Sequence, residues 1–218
     1  MVRDTEIRNS RKLKRNFLWP KEDVWCWRHI NKKGNIDLPY RIEKYCNQKT
    51  VVIQAGGNAG LYPYIYSSLF ETVYTFEPDK TNYYCLQENN KGIDNVIHSN
   101  VALGSKEDYI DLEFNSTWNE KNTGAVQVSG SGDIKMITID SLNLAPDLIH
   151  FDLEGFEGPA LEGSINTIRS YRPVIALETN GSGDKYDWYQ TRIDKMLYDE
   201  GYKIIEYGHD TIYCWEQK

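Results

Sequence analysis

What this sequence lacks narrows its possible roles. It has no uninterrupted apolar run long enough to cross a membrane. No hydrophobic stretch follows the early basic residues Arg3, Arg8, Arg11, Lys12, Lys14 and Arg15 as it would in a secretory leader. Its four cysteines, Cys26, Cys46, Cys85 and Cys214, are far apart and form no CxxC pair, so neither a zinc site nor a disulfide framework is expected. It has no excess of positive charge either. The 25 Lys and Arg against 32 Asp and Glu leave a formal net charge of −7, which disfavours binding that rests on neutralising phosphates. No internal repeat and no low-complexity tract is present. These absences point to a cytoplasmic protein with no membrane or nucleic-acid partner, and they leave the oligomeric state open.

What is present is enough for a full core: 218 residues, 40% of them hydrophobic, of a length that favours one domain. Residues 1–49 are irregular in pattern and read as a cap segment packed on the core. The basic stretch at their start reads as a solvated or frayed arm, because Asp4 and Glu6 interrupt it. "FLWPKEDVWCW" gathers Trp19, Trp25 and Trp27 around Pro20, with a short helix expected from about Lys21. From residue 50 to 218, apolar runs alternate with helical patterns, the mark of βαβ units and a mostly parallel sheet. Strands are expected at 50–55, 72–77, 95–101, 147–152 and 173–178. Helical stripes come after the last two: Leu161, Ile165 and Ile168, then Tyr189, Ile193, Met196 and Leu197, both facing the sheet. Gly201 ends the final helix, and "YKIIEY" and "GHDTIYCW" read as a closing antiparallel hairpin. Between Gly104 and Pro146, "YIDLEF", "AVQV" and "IKMITI" alternate with polar linkers, which predicts an inserted β-meander.

Three features carry chemistry. "VVIQAGGNAGLYP" at 51–63 is a strand running through glycines into a helix, a geometry that lets backbone N–H groups approach a ligand closely. The dinucleotide fingerprint GxGxxG fails here, since Asn58 and Leu61 stand where glycines are needed; the pattern is GxNxG. Asn58 tolerates the left-handed conformation and adds a side-chain amide. Next, "TVYTFEPD" ends on Glu77, 23 residues after Gln54, where doubly wound folds put the acid that bonds ribose hydroxyls. Its plainer reading is a strand-end acid, with Asp79 the helix cap beyond it. Last, "LIHFDLEGFEGPALEG" crowds Asp152, Glu154 and Glu157 into one loop at the carboxyl end of a strand, where open α/β sheets bind ligands. Glu157 also suits a helix N-terminus through its dipole.

With "QAGGNAGLYP", "YTFEPD", "VALG", "ITIDSLNL", "PDLIHFDLEGFEGPALEG" and "RPVIALE" in this order, the chain resembles the FkbM-type family of S-adenosylmethionine-dependent methyltransferases over roughly 51–178. The resemblance implies a Rossmann-like class I methyltransferase, an α/β fold with a mostly parallel seven-stranded sheet and a C-terminal antiparallel hairpin. It implies S-adenosylmethionine as cofactor and O-methylation of a small hydroxylated acceptor, a sugar among the candidates. Carried onto this sequence, it assigns Gln54, Gly56, Gly57, Asn58 and Gly60 to the methionine half of the cofactor. It assigns Glu77, with Pro78 beside it, to the ribose, and Asn100, Val101 and Ala102 to the adenine. Gln54 departs from the family, which usually has Asp there, so Asp152 would carry more of the contact with the cationic methionine amine. Positioning is most of the work in methyl transfer, and Asp152 or Glu154 would be the base for a hydroxyl acceptor. His150 is read as a packed residue without a catalytic role.

Other readings stay open at this point. Some class I O-methyltransferases hold magnesium with acids after the fourth and fifth strands, and Asp152, Glu178 and Asn180 offer such a set, although the rest of that motif is missing and no metal is assigned. Trp118 and its neighbours in "NSTWNEKNTG" could form a lid over the acceptor. A non-catalytic methyltransferase fold that binds a partner is the rival from another class, kept alive by Gln54. An NAD-dependent dehydrogenase is disfavoured by the failed GxGxxG and the terminal hairpin.

Overall fold

The computed structural model describes residues 1–30, 36–114, 122–179 and 182–216. The amino-terminal part holds strands β1 (Thr5–Ser10) and β2 (Arg15–Pro20) and short helices α1 (Trp25–Ile30) and α2 (Leu38–Ile42). The chain continues through β3 (Val51–Ala55), α3 (Leu61–Tyr66), β4 (Thr72–Phe76), α4 (Lys80–Asn89) and β5 (Val96–Ser99). Three strands come next: β6 (Ala102–Leu103), β7 (Asp108–Phe114) and β8 (Val126–Ile137). The last part comprises β9 (Leu148–Phe151), α5 (Glu157–Glu162), α6 (Ile165–Tyr171), β10 (Val174–Glu178), α7 (Gln190–Asp199), β11 (Tyr202–Glu206) and β12 (Asp210–Trp215).

Seven strands form the main sheet in the order β11-β12-β10-β9-β3-β4-β5. All neighbours pair in parallel except β12, which is antiparallel to both β10 and β11. The central strands are buried on both faces, which is why their sequences run as unbroken apolar stretches instead of alternating. Residues one apart go to opposite layers. Val52, Val73, Leu148 and Ala176 pack with Leu38, Ile42, Tyr66 and Phe70 on one face. Ile53, Ile149, Phe151, Ile175 and Leu177 pack with Leu161, Ile168, Ile193 and Leu197 on the other. The expected α/β class, the five parallel strands and the closing hairpin all agree with this sheet, with strand ends one or two residues shorter than expected. Glu77 and Asp152 therefore sit just beyond their strands, in the loops. No helix among the described residues is long and apolar enough to cross a membrane.

Several expectations are corrected. The start of the chain is no frayed arm: β1 and β2 pair as an antiparallel hairpin that buries Phe17 and Trp19 completely. Arg3 bonds Asp79 Oδ1 at 2.7 Å and Thr81 Oγ1 at 3.1 Å, and Asn89 of α4 brackets the backbone of Leu18. Trp19 meets Trp27 edge to face, as the aromatic cluster suggested, whereas the Trp25 side chain lies outside the described residues. In the insertion, most of "AVQV" and "IKMITI" falls in the single strand β8, which pairs antiparallel with β7 and parallel with β6. The "SGSGD" between them is not a linker but a bulge, where pairing jumps from Ile110–Ile134 to Asp111–Ser129. The helix after β9 is broken in two at Gly163 and Ser164; the Asp140 carboxylate accepts from the N–H groups of Asn166 and Thr167 and so starts α6 afresh. Tyr189 leaves its stripe and is half exposed.

Candidate active site

The turn after β3 is shaped by contact with its neighbours. Gly56 adopts φ +81°, and a Cβ there would run into the Asp152 carbonyl, so only glycine lets this turn lie against the loop after β9. The N–H groups of Gly56 and Gly57 both donate to the Phe76 carbonyl, at 3.1 and 3.0 Å. Asn58 takes the left-handed conformation with φ +46°. Its N–H donates to Glu77 Oε2 at 2.7 Å, while the N–H of Asp79 donates to Glu77 Oε1 at 2.8 Å. Glu77 thus clasps the glycine turn to the end of β4. Burial pushes its carboxyl up to about 8, and the two N–H bonds pull the other way. Asp79 caps α4 as expected, accepting from Thr81 and Asn82 N–H at 3.0 and 2.9 Å.

Asp152 and Glu154 come just after β9, and Glu178 ends β10 beside them. Glu154 is held at φ +53°. Burial raises all three carboxyls above the ordinary range. For Glu178 the nearby charge of Asp152 adds to the effect of burial. Glu154 reaches about 8, from burial and then from the nearby charge of Asp152. Glu157 plays the other part: its Oε1 accepts from Leu153 N–H at 2.7 Å, and it anchors the loop at the start of α5.

A cavity of about 490 Å³ opens where these loops meet, at the carboxyl ends of the parallel strands. Gly56, Asn58, Glu77, Pro78, Val101, Ala102, Asp152 and Glu154 all line it. Gln54, Gly57, Gly60 and Asn100 stand behind its walls instead. Gln54 is fully buried; its Nε2 donates to the carbonyls of Ala55 and Gly56, and its Oε1 accepts from Thr75 at 2.8 Å. Asn100 ties down the carbonyls of Glu77 and Pro78 at 2.7 and 3.0 Å. His150 is packed as expected. Its Nδ1 meets the Tyr66 hydroxyl at 2.9 Å, and burial lowers its pKa to about 4, so it stays neutral. Trp118 and Asn180 lie outside the described residues.

Sequence reasoning missed the walls that come from far along the chain. Cys26 of α1, Tyr62 of α3, Asn82 of α4 and the His209–Asp210 corner of the last hairpin all line the cavity. The buried Asp23 positions the first of these. It accepts from the amides of Cys26 and Trp27 at 3.2 Å each and from Thr123 N–H at 3.3 Å, and also from the Trp19 ring. No local pattern marks such a residue, since its partners are up to 100 positions away. Asn82 donates to the Thr123 carbonyl at 2.9 Å, while its buried Oδ1 has no partner among the described residues.

Comparison with known proteins bears on the family and the fold. Residues 54–204 match the methyltransferase FkbM domain. The hexuronic acid methyltransferase AglP of Haloferax volcanii is 28% identical over 197 residues, covering 84% of this chain and 80% of its own. The solved structure of methyltransferase FkbM from Methylobacillus flagellatus superposes with a TM-score of 0.52 at 19% identity. That match covers 77% of this chain and spans only 44% of that protein's length. A precorrin-6y C5,15-methyltransferase from Geobacter metallireducens gives a TM-score of 0.51 at 14% identity over 96% of this chain and 98% of its own. At these identities the two solved structures are alike in fold.

Proposed function

Since the chain belongs to the FkbM methyltransferase family, we propose that it is an S-adenosylmethionine-dependent methyltransferase acting on a hydroxyl group of a sugar or another small metabolite. The observation that carries this reading is the single cavity wall shared by the glycine turn, Glu77 and Asp152. Its volume of about 490 Å³ falls in the range of small-molecule sites. The donors and acceptors suit a nucleoside: Glu77 offers a carboxylate to ribose hydroxyls, and the orphaned Oδ1 of Asn82 offers a further acceptor. Phe76, Val101, Ala102 and Leu103 supply an apolar face for the adenine, and Gly56 and Asn58 would hold the methionine half. With Gln54 turned inward, Asp152, whose backbone lies against Gly56, is the alternative partner for the methionine amine should Glu154 be the base.

Bound there, S-adenosylmethionine would supply a methyl group already activated by its sulfonium. The protein's own part is to align the acceptor, exclude water and receive the hydroxyl proton on Asp152 or Glu154. Their raised pKa values suit that exchange near neutral pH. The sugar acceptor is supported by the name of the Haloferax relative. Calorimetric titration with S-adenosylhomocysteine tests the reading. Binding of this product, with no heat from NAD, is expected; a folded protein that binds neither S-adenosylmethionine nor its product rules the reading out.

A further inference from the structure

Glu154 occupies a backbone conformation that its residue type disfavours. It is held at φ +53°, in the left-handed region that glycine or asparagine would take more readily. Its carboxylate accepts no backbone N–H among the described residues, so the side chain is not spent on holding its own loop. That is the work of Glu157, which accepts from the N–H groups of Leu153 and Gly155. Glu154 instead lines the cavity, where one of its oxygens comes within 4.8 Å of a carboxylate oxygen of Asp152. A strained residue persists only where its surroundings over-determine it, and the contacts around Glu154 do so. Gln127 of β8 donates from Nε2 to the Glu154 carbonyl at 2.9 Å. Gly155 lies so close to residues 182–183 that a Cβ would meet the Ser182 carbonyl. Phe156 packs edge to face on Tyr186, with ring centroids 4.9 Å apart.

We propose that Gln127 is a positioning residue: it fixes the left-handed turn at Glu154 and so keeps the Glu154 carboxylate in the cavity, facing the acceptor. Gln127 is buried, and the direction of its amide is set by Lys185, whose Nζ lies 3.4 Å from Oε1. An ammonium group only donates, so it takes the amide oxygen and leaves the amide NH₂ for the Glu154 carbonyl. Lys185 also donates to Glu113 at 2.7 Å and to the Val128 carbonyl at 3.2 Å, and the Tyr186 hydroxyl donates to the same carbonyl at 2.8 Å. The loop after β9, strand β8 and residues 182–186 beyond β10 thus close into a ring, each bonded to or packed on the next. Val126 and Val128, on either side of Gln127, line the cavity themselves. One short stretch of the inserted sheet therefore supplies both a wall of the cavity and the support of an acid that opens onto it. The use of Glu154 toward an acceptor rests on the methyl-transfer reading; the dependence of its placement on Gln127 does not.

Gln127→Met keeps the length of the side chain and removes its donor. The Glu154 carboxyl is titrated by NMR in protein carrying carboxyl-labelled glutamate, its resonance identified by loss in Glu154→Gln, and methyl transfer is measured alongside. In the wild type this carboxyl lies at about 8, raised by burial and by the charges of Asp152 and Glu157. Released from the cavity in Gln127→Met, it is expected to fall toward the ordinary 4.5. At the same time kcat should drop by roughly tenfold to a hundredfold, while affinity for S-adenosylhomocysteine in calorimetry stays within about twofold. Lys185→Met, at a side chain that is 35% exposed, carries the same test if the first variant does not fold. Loss of a cation alone would push a nearby carboxyl up, so a fall in this variant reports a moved carboxylate. The proposal is overturned if Glu154 titrates as in the wild type in both variants, or if kcat is unchanged in a variant whose carboxyl has moved. Nucleoside binding with an unmoved carboxyl removes this role of Gln127 alone, and a moved carboxyl in a protein that binds no nucleoside removes the methyl-transfer reading alone.

Discussion

At the glycine-turn end of the cavity both oxygens of Glu77 accept a backbone N–H, and each loop is bonded to the next. At the acidic end, Asp152, Glu154 and Glu178 face one another. The first end is rigid and internally satisfied, and it offers a ligand shape. The second is held together by the surrounding backbone against its own repulsion, and it offers charge and a place for a proton. On the proposed reading, binding and chemistry are divided along one cavity, and substitutions at the two ends should move different measurements.

The largest effect is expected from Asp152→Asn, which keeps the size of the side chain but removes its charge and basicity. Methyl transfer from labelled cofactor to acceptors recovered by mass spectrometry should fall by roughly 10² to 10⁴, while affinity for S-adenosylhomocysteine changes little. A loss of affinity first would instead assign Asp152 to the methionine amine and blur the division. Glu77→Ala should do the opposite, weakening S-adenosylhomocysteine binding by roughly 1.5 to 3 kcal/mol in calorimetry. Unchanged affinity would put the ribose elsewhere.

A smaller effect probes the repulsion directly through pH. The Glu154 carboxyl lies at about 8 in the folded protein against an ordinary 4.5, so the folded state holds this proton more tightly than the unfolded one. The stability it contributes is complete below about pH 4.5 and is lost as pH rises toward 8. Glu154→Gln should flatten that decline, leaving the variant more stable than wild type at pH 8 by about 1 to 3 kcal/mol in urea denaturation, with little difference at pH 4.5. Equal curves would show that the acidic end is balanced by something else. The smallest change is expected from His209→Ala, which removes an exposed imidazole beside Glu178 and should shift stability by less than about 1 kcal/mol.

Much of this division was legible in the sequence because strand-end carboxylates and glycine turns are local signals. The segment from Val51 to Ala55 announces a buried strand, and the turn begins at the very next residue, Gly56. Gln54 was harder: its residue type suggests a ligand contact, yet its direction is decided by Thr75 on the next strand. The hairpin of residues 5–20 was missed because its outer face is polar and its stability comes from docking on α4. Only the spacing of Phe17 and Trp19, both facing inward, hinted at a strand. The glycines of "SGSGD" did mark an irregularity, but the irregularity was a bulge within one strand, and local composition cannot tell a bulge from a turn. Cys26 and His209 reach the cavity only through tertiary folding, so no spacing could have placed them there.

The reversed direction of β12 has a consequence for how this molecule could change over time. A parallel strand ends at the cavity and hands over to a helix, but β12 begins there, so the acidic end is bordered by the tip of a hairpin. That tip is exposed, with Tyr207 at 74%, and it is fastened to the sheet chiefly by Thr179, whose N–H donates to the His209 carbonyl at 2.7 Å. Residues at such a tip can be exchanged, added or removed without disturbing the seven-stranded frame. If the proposed methyl transfer holds, acceptor preference would be free to drift by mutation at His209 and Asp210 while the glycine-turn end is kept, which makes this corner the natural target for a library that selects new acceptors.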